Sequence, residues 1–174
     1  MNFFFLIISL FLFSCSTDMN IQNFKNKKPE LVLEDYFNGK TRAWGLFHDR
    51  FGNLKRSFEV DINGVLDGNT LILDEKFTYD DGEKESRIWT IKILENNKYS
   101  GTADDVVGEA IGESSGNALH WKYKLNLNVK NSIVQVDFDD WMFLQEEGVL
   151  INRAEVKKWG LNLGVVTITF VKPR

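Results

Sequence analysis

Several charges in this chain fall where a strand would place a dry side chain. Arg56 keeps step with Leu54, Phe58, Val60 and Ile62, and Glu75 with Leu71, Leu73, Phe77 and Tyr79. Arg87 keeps step with Trp89, Ile91 and Ile93, and Asp140 with Val136, Phe138, Met142 and Leu144. Glu109 follows the same rule, and Arg42, Trp44 and Arg50 share a face of their own. A spacing of two puts such residues on one side of a strand. An unpaired buried charge is very costly, so each must meet a counter-ion, water or a ligand.

Two readings follow. In one, these groups form interior ion pairs that fix strand register. In the other, they mark a partly wet pocket, where guanidinium forks grip an anionic head group bidentately and aromatic rings line an acyl chain. The second reading makes Arg42, Trp44, Arg56, Glu75, Arg87, Trp89, Trp121 and Asp140 the candidate ligand-binding set, with Phe58, Phe77 and Phe138 beside them.

Other chemistry finds less to work with. Asp104-Asp105 and Asp139-Asp140 offer oxygens for calcium or carboxylates for glycoside hydrolysis. Neighbouring residues on a strand point to opposite faces, so neither pair converges by itself. Capping a strand end, or pairing with Arg42, Arg50 or Arg153, is the plainer role. The only histidines are His48 and His120, and no G-x-S-x-G elbow accompanies them. C-x-x-C and H-E-x-x-H spacings are absent, as is a phosphate-cradling glycine loop. The expectation is therefore no metal, no cofactor and no identifiable catalytic residue.

The elements that must hold these groups are strands. Thr41–Gly52, T-R-A-W-G-L-F-H-D-R-F-G, opens a period-two pattern that continues almost to the C-terminus. Asn63-Gly64, Asp67-Gly68, Asp80-Asp81-Gly82, Asn96-Asn97, Ser114–Asn117, Asn128–Asn131 and Glu146-Glu147-Gly148 supply the turns. Tyr99–Ala103 and Val106–Glu113 read as the weaker strands, the second rich in small residues. The pattern predicts an all-β chain, an antiparallel meander of about ten strands. Open edges invite aggregation, so the sheet should close into a lipocalin-like up-and-down barrel, with a β-sandwich as the alternative. Pro29 to Phe37, with early acids and Gly39 beyond, predicts a short N-terminal helix plugging the sheet.

The N-terminus carries different information. Phe3–Phe13 is an apolar run too short to span a bilayer but suited to a signal-peptide core. Leu12-Phe13-Ser14-Cys15 resembles the lipobox of bacterial lipoproteins, although no Lys or Arg precedes the run. Residues 1–14 are then a signal peptide, 15–28 a tether acylated at Cys15, and 29–174 one barrel domain. Cys15 is the lone cysteine, which suits an exported chain whose thiol is consumed by lipid. Ser16, rather than Asp, resembles the signal for sorting to the inner leaflet of an outer membrane, facing the periplasm. Among 174 residues the net charge is −4, with 43% hydrophobic and 13% aromatic residues, which suits a sizeable core. This mildly acidic balance excludes an electrostatic case for nucleic acid.

T-R-A-W-G-L-F-H-D-R-F-G at 41–52, T-A-D-D-V-V-G at 102–108 and F-D-D-W-M-F-L at 138–144 resemble a bacterial lipoprotein family catalogued as a domain of unknown function. G-N-A-L-H-W at 116–121 and N-R-A at 152–154 follow in the same order, so the resemblance runs from Leu31 to Phe170. It implies an exported, lipid-anchored β domain, and a neighbourhood of genes that modify membrane acyl chains. It implies no catalytic residue. Three functions compete on these grounds: a binder of a fatty acid or similar amphiphile, a partner-binding envelope platform with a filled core, and a lipid- or sugar-acting enzyme using Asp140 or Glu75.

Overall fold

The computed structural model of the protein describes residues 19–129 and 132–173. The expected signal peptide and Cys15 lie outside them. Ten strands run in chain order: β1 Gly39–Asp49, β2 Leu54–Asp67, β3 Thr70–Tyr79, β4 Lys84–Ile93 and β5 Lys98–Thr102. They continue as β6 Ala110–Ser115, β7 Ala118–Val129, β8 Ser132–Leu144, β9 Leu150–Lys158 and β10 Leu161–Val171. Each pairs antiparallel with its chain neighbours, and β1 pairs with β10, so the meander closes into the expected barrel. Closure leaves no edge strand to protect.

Alternation decides the wall. In β2 the inward Phe58, Val60 and Ile62 alternate with outward Ser57, Glu59 and Asp61. The interior of the barrel is apolar and much of its outer face is charged, the reverse of a barrel that crosses a membrane. Among the described residues no helix is long and apolar enough to span one.

One end of the barrel is stoppered. Helix α1, Leu33–Phe37, is shorter than the expected run from Pro29, because Val32 is still extended. Leu31, Leu33 and Phe37 pack in one apolar cluster with Leu73, Ile91, Trp121 and Phe170. Phe37 meets Phe170 edge-on at 5.5 Å, and the Tyr36 hydroxyl shares its one proton between the carbonyls of Gly148 (3.0 Å) and Phe170 (3.1 Å). The chain therefore plugs its own barrel, as expected.

Two segments differ from expectation. Residues 19–28, expected as flexible tether, lie against the outer wall: Ile21 is buried, and Phe24 packs on Trp141 (5.9 Å) and Phe143 (5.4 Å). The apolar side chains hidden inside a polar stretch outweigh its composition. The expected strand Val106–Glu113 is a loop up to residue 109, and β6 begins only at Ala110. This loop replaces strand where β5 and β6 are too short, with Val106 bridging to Leu125 and the Val107 amide donating to the Lys124 carbonyl (2.9 Å).

Candidate ligand-binding site

The barrel encloses a lumen of about 440 Å3. Phe58, Phe77, Trp89, Trp121, Tyr123 and Phe138 contribute rings to its wall, and valines and leucines fill the spaces between them. The rings are arranged in contact rather than scattered. Trp89 meets Tyr123 edge-on at 5.7 Å, Tyr123 stacks on Phe138 at 5.1 Å, and Phe58 lies 5.9 Å from Phe77.

Two polar clusters interrupt this wall. The first is built on β3 and β4, where Glu75 and Arg87 sit opposite each other in the ladder. Arg87 Nη1 is 3.9 Å from Glu75 Oε2. Its other side is committed to Asp105: Nε donates to Oδ1 (3.1 Å) and Oδ2 (3.0 Å), and Nη2 to Oδ2 (2.6 Å). Glu75 keeps 13% side-chain exposure and lines the lumen. Burial pushes its carboxyl up from an ordinary 4.5 to about 7, with Arg87 pulling the other way.

The second cluster surrounds Asp140 on β8. The Tyr123 hydroxyl donates to Oδ2 (3.1 Å), and the Asn152 amide donates to Oδ1 and to the Trp141 carbonyl (3.2 Å). Burial raises Asp140 to about 6 despite those two donors. Burial, then the nearby Asp140, raises the Tyr123 phenol well above its ordinary value, so it stays a donor.

Arg56 stands nearer the rim. It pairs with Glu83, lies 3.5 Å from Asp81, and its guanidinium sits 3.4 Å over the Tyr79 ring. It lines the lumen with one edge while a third of its side chain faces out.

Of the eight residues expected to form a site, six line the lumen: Arg56, Glu75, Arg87, Trp89, Trp121 and Asp140. Arg42 and Trp44 are on the outer face. The inward positions of β1 are Thr41, Ala43 and Gly45, all buried, and then Phe47, which lines the lumen. Arg42 pairs outside with Glu59 (2.6 Å) and stacks 5.3 Å from the Trp44 ring, which is 42% exposed. The reason is space: a side-chain carbon on Gly45 would overlap the Phe58 ring, so β1 turns small residues inward where that ring packs over it. Arg50 and Glu109 are likewise exposed, Arg50 in a turn and Glu109 just before β6.

Sequence phase also held what was passed over. Tyr123 alternates in step with Trp121 and Leu125, and Asn152 with Ala154 and Val156, so both were findable. Asp105 was not, because it reaches Arg87 from a loop. His48 lines no lumen wall, and His120 stacks outside on Trp141 at 4.0 Å with Asp139 Oδ1 2.8 Å from its Nε2. No group of three or more metal-ligating side chains occurs among the described residues.

The family described as "Protein of unknown function (DUF3833)" matches residues 9–172. The chain belongs to that family. No curated protein matches the chain. Membership in this family names no ligand and no reaction, so the lumen itself must suggest them.

Proposed function

We propose that this family member is a lipid-anchored envelope protein whose lumen binds one small amphiphile, a fatty acid or a molecule like it. One observation carries the reading: a lumen of about 440 Å3, walled by rings and aliphatic groups and carrying Glu75 and Arg87 side by side. Such a volume is typical of small-ligand sites. The acyl chain lies against Phe58, Phe77, Trp89, Trp121 and Phe138, and the head group meets Arg87. When Glu75 is neutral, as it is below its raised value of about 7, Arg87 Nη1 can grip a carboxylate while Asp105 keeps the rest of the guanidinium in place.

The anchor in this reading is acylated Cys15, through the L-F-S-C run at 12–15, and the location is the inner leaflet of an outer membrane facing the periplasm. A platform with a filled core sits poorly with a lumen of this size. Acid/base chemistry has less to recommend it, since Asp140 is held by Tyr123 and Asn152.

Native mass spectrometry of the full chain, before any delipidation, tests the proposal. The expected result is a mass excess of one amphiphile, lost in Ala154→Phe, which places a ring in the lumen. A ligand-free mass together with no uptake of a fluorescent fatty acid would overturn it.

A further inference from the structure

The end of the barrel opposite α1 is made by five connections, and they are not alike. Going round the ring, the β1–β2, β9–β10 and β7–β8 turns are consecutive. These three carry Phe51 and Leu54, Trp159 and Leu161, and Val129 and Ile133, all exposed. Trp159 is 86% exposed, Phe51 75% and Ile133 71%. Soluble proteins seldom gather large apolar tips in one place unless something covers them.

The charges around these tips are predominantly of one sign, although Asp49 pairs with Lys55 (3.2 Å) and Glu155 with Lys157 (2.9 Å) at their margins. No Asp or Glu occurs in 50–58, 126–136 or 156–171, whereas Arg50, Lys55, Arg56, Lys130, Lys157 and Lys158 do, which leaves the three tips net positive. Two of the cations sit on the apolar tips themselves: the Arg50 guanidinium is 4.7 Å from the Phe51 ring, and Lys158 Nζ 4.6 Å from Trp159. The other two connections are the reverse, with Asp80, Asp81, Glu83, Asp104 and Asp105. The rim is thus split into an apolar, basic half and an acidic half.

The tip of β9–β10 is also held against its preference. Trp159 and Gly160 form a two-residue turn between the paired Lys158 and Leu161, with φ of +51° and +78°. A tryptophan is a poor choice for that left-handed position, where Asn or Gly fits without strain. A strained, fully displayed aromatic side chain is a sign of use.

We infer that this half of the rim docks on a lipid bilayer containing anionic phospholipid, inserting Phe51, Ile133 and Trp159 among the acyl chains near the head groups. Aromatic and aliphatic tips belong at that depth, and long cationic side chains reach back to the phosphates from there. Each Lys or Arg adds attraction to an anionic surface, and the acidic half is kept off it. The docked half runs directly into the lumen: Val129, Leu127, Val134 and Leu163 line the cavity just behind it. An amphiphile would pass between bilayer and lumen without crossing water, since α1 stoppers the other end.

Docking stands on the rim and not on what fills the lumen. The test uses the full chain reconstituted in vesicles of phosphatidylglycerol and phosphatidylcholine, because an acylated Cys15 would hold any variant at the membrane. Two readouts report on the rim alone: hydrogen exchange at 50–54 and 159–161, and quenching of tryptophan emission by lipids brominated along the acyl chain. The expected result is exchange about tenfold slower at both segments with vesicles than without. Quenching should fall sharply in Trp159→Phe. In Phe51→Asp/Ile133→Asp both effects should be lost at an unchanged melting temperature. Equal quenching in wild type and Trp159→Phe would overturn the inference. So would rim protection that follows protein concentration without vesicles, which would mean a second copy covers the tips. Uptake of a fluorescent fatty acid by the same preparation reports separately on the lumen.

Discussion

Arg87 holds Asp105 through both Nε and Nη2 across the seam where β4 and β7 have too little strand between them. β5 reaches β4 only from Thr90 to Ile93, and β6 reaches β7 only from Ala118 to Lys122. The loop 103–109 fills the gap, hydrogen-bonding to β7 on one side and tied to β4 by this ion pair on the other. Arg87 is thus a fastening of the wall and, through Nη1, a group facing the lumen. Replacing Asp105 by Asn should cost about 1–2 kcal/mol, since the pair is half-buried rather than fully exposed. Amide exchange should quicken at Val106 and Val107, and a double-mutant cycle with Arg87→Met should show coupling of the two sites. Additive effects would mean the seam closes without them.

Stability should fall as pH rises from acid to neutral. Glu75 and Asp140 have folded values of about 7 and about 6, raised by burial from 4.5 and 3.8. Below about pH 3 both are protonated, folded or unfolded, and neither detracts from the native state. Between the ordinary and the raised values the unfolded chain sheds protons that the folded chain retains, so unfolding gains ground. Above the raised values the loss is complete and stays constant. Each rise spans about two pH units, on the order of 3 kcal/mol as an upper figure. Thermal melts from pH 4 to 8 should show this slope, and Glu75→Gln with Asp140→Asn should flatten it. A slope unchanged in the double variant would remove these two carboxyls as its cause.

Glu75→Gln also separates stability from binding. The substitution copies the neutral side chain and leaves Arg87 Nη1 without an anionic neighbour at 3.9 Å. Uptake of a fluorescent fatty acid should weaken in wild type as pH rises through about 7 and become nearly independent of pH in the variant. Equal pH profiles would put the carboxylate somewhere other than Arg87.

Period-two alternation made the barrel legible, because every strand from β2 to β4 and from β7 to β8 wrote its inner face in large apolar residues. The same rule brought Glu75, Arg87 and Asp140 into the lumen and failed on β1. There Ala43 and Gly45 face inward and Trp44 outward, so the larger residues marked the wrong face. Size is a poor guide where a neighbouring ring needs the room. Asp105 and the split rim were hidden for a different reason. Both depend on which loops become neighbours when the sheet closes, and no spacing along the chain records that.

Gly45 makes the point about room testable. A methyl group there would overlap the Phe58 ring, which itself packs on Phe77 and Tyr79 at 5.9 and 5.7 Å. Gly45→Ala should cost about 1–3 kcal/mol through overpacking. The ring's way out is into the lumen, so fatty-acid uptake should drop with stability, and Gly45→Ala/Phe58→Leu should recover both. Recovery of stability alone would show that Phe58 does not shape the bound chain.

Trp159 sets stability against docking. Its φ of +51° costs a bulky L-residue roughly 1–2 kcal/mol, and its ring, 86% exposed, recovers little of that from the folded chain. Asparagine accepts the same backbone and, followed by Gly160, suits a two-residue hairpin. Trp159→Asn should therefore raise the folding free energy by about 1 kcal/mol, read from urea melts at unchanged slope. The same variant should lose most of the vesicle-induced protection at 159–161. A purely structural tryptophan would move the other way, losing stability and leaving the vesicle response intact. Gain in one measurement with loss in the other is what a residue kept for a membrane surface would give.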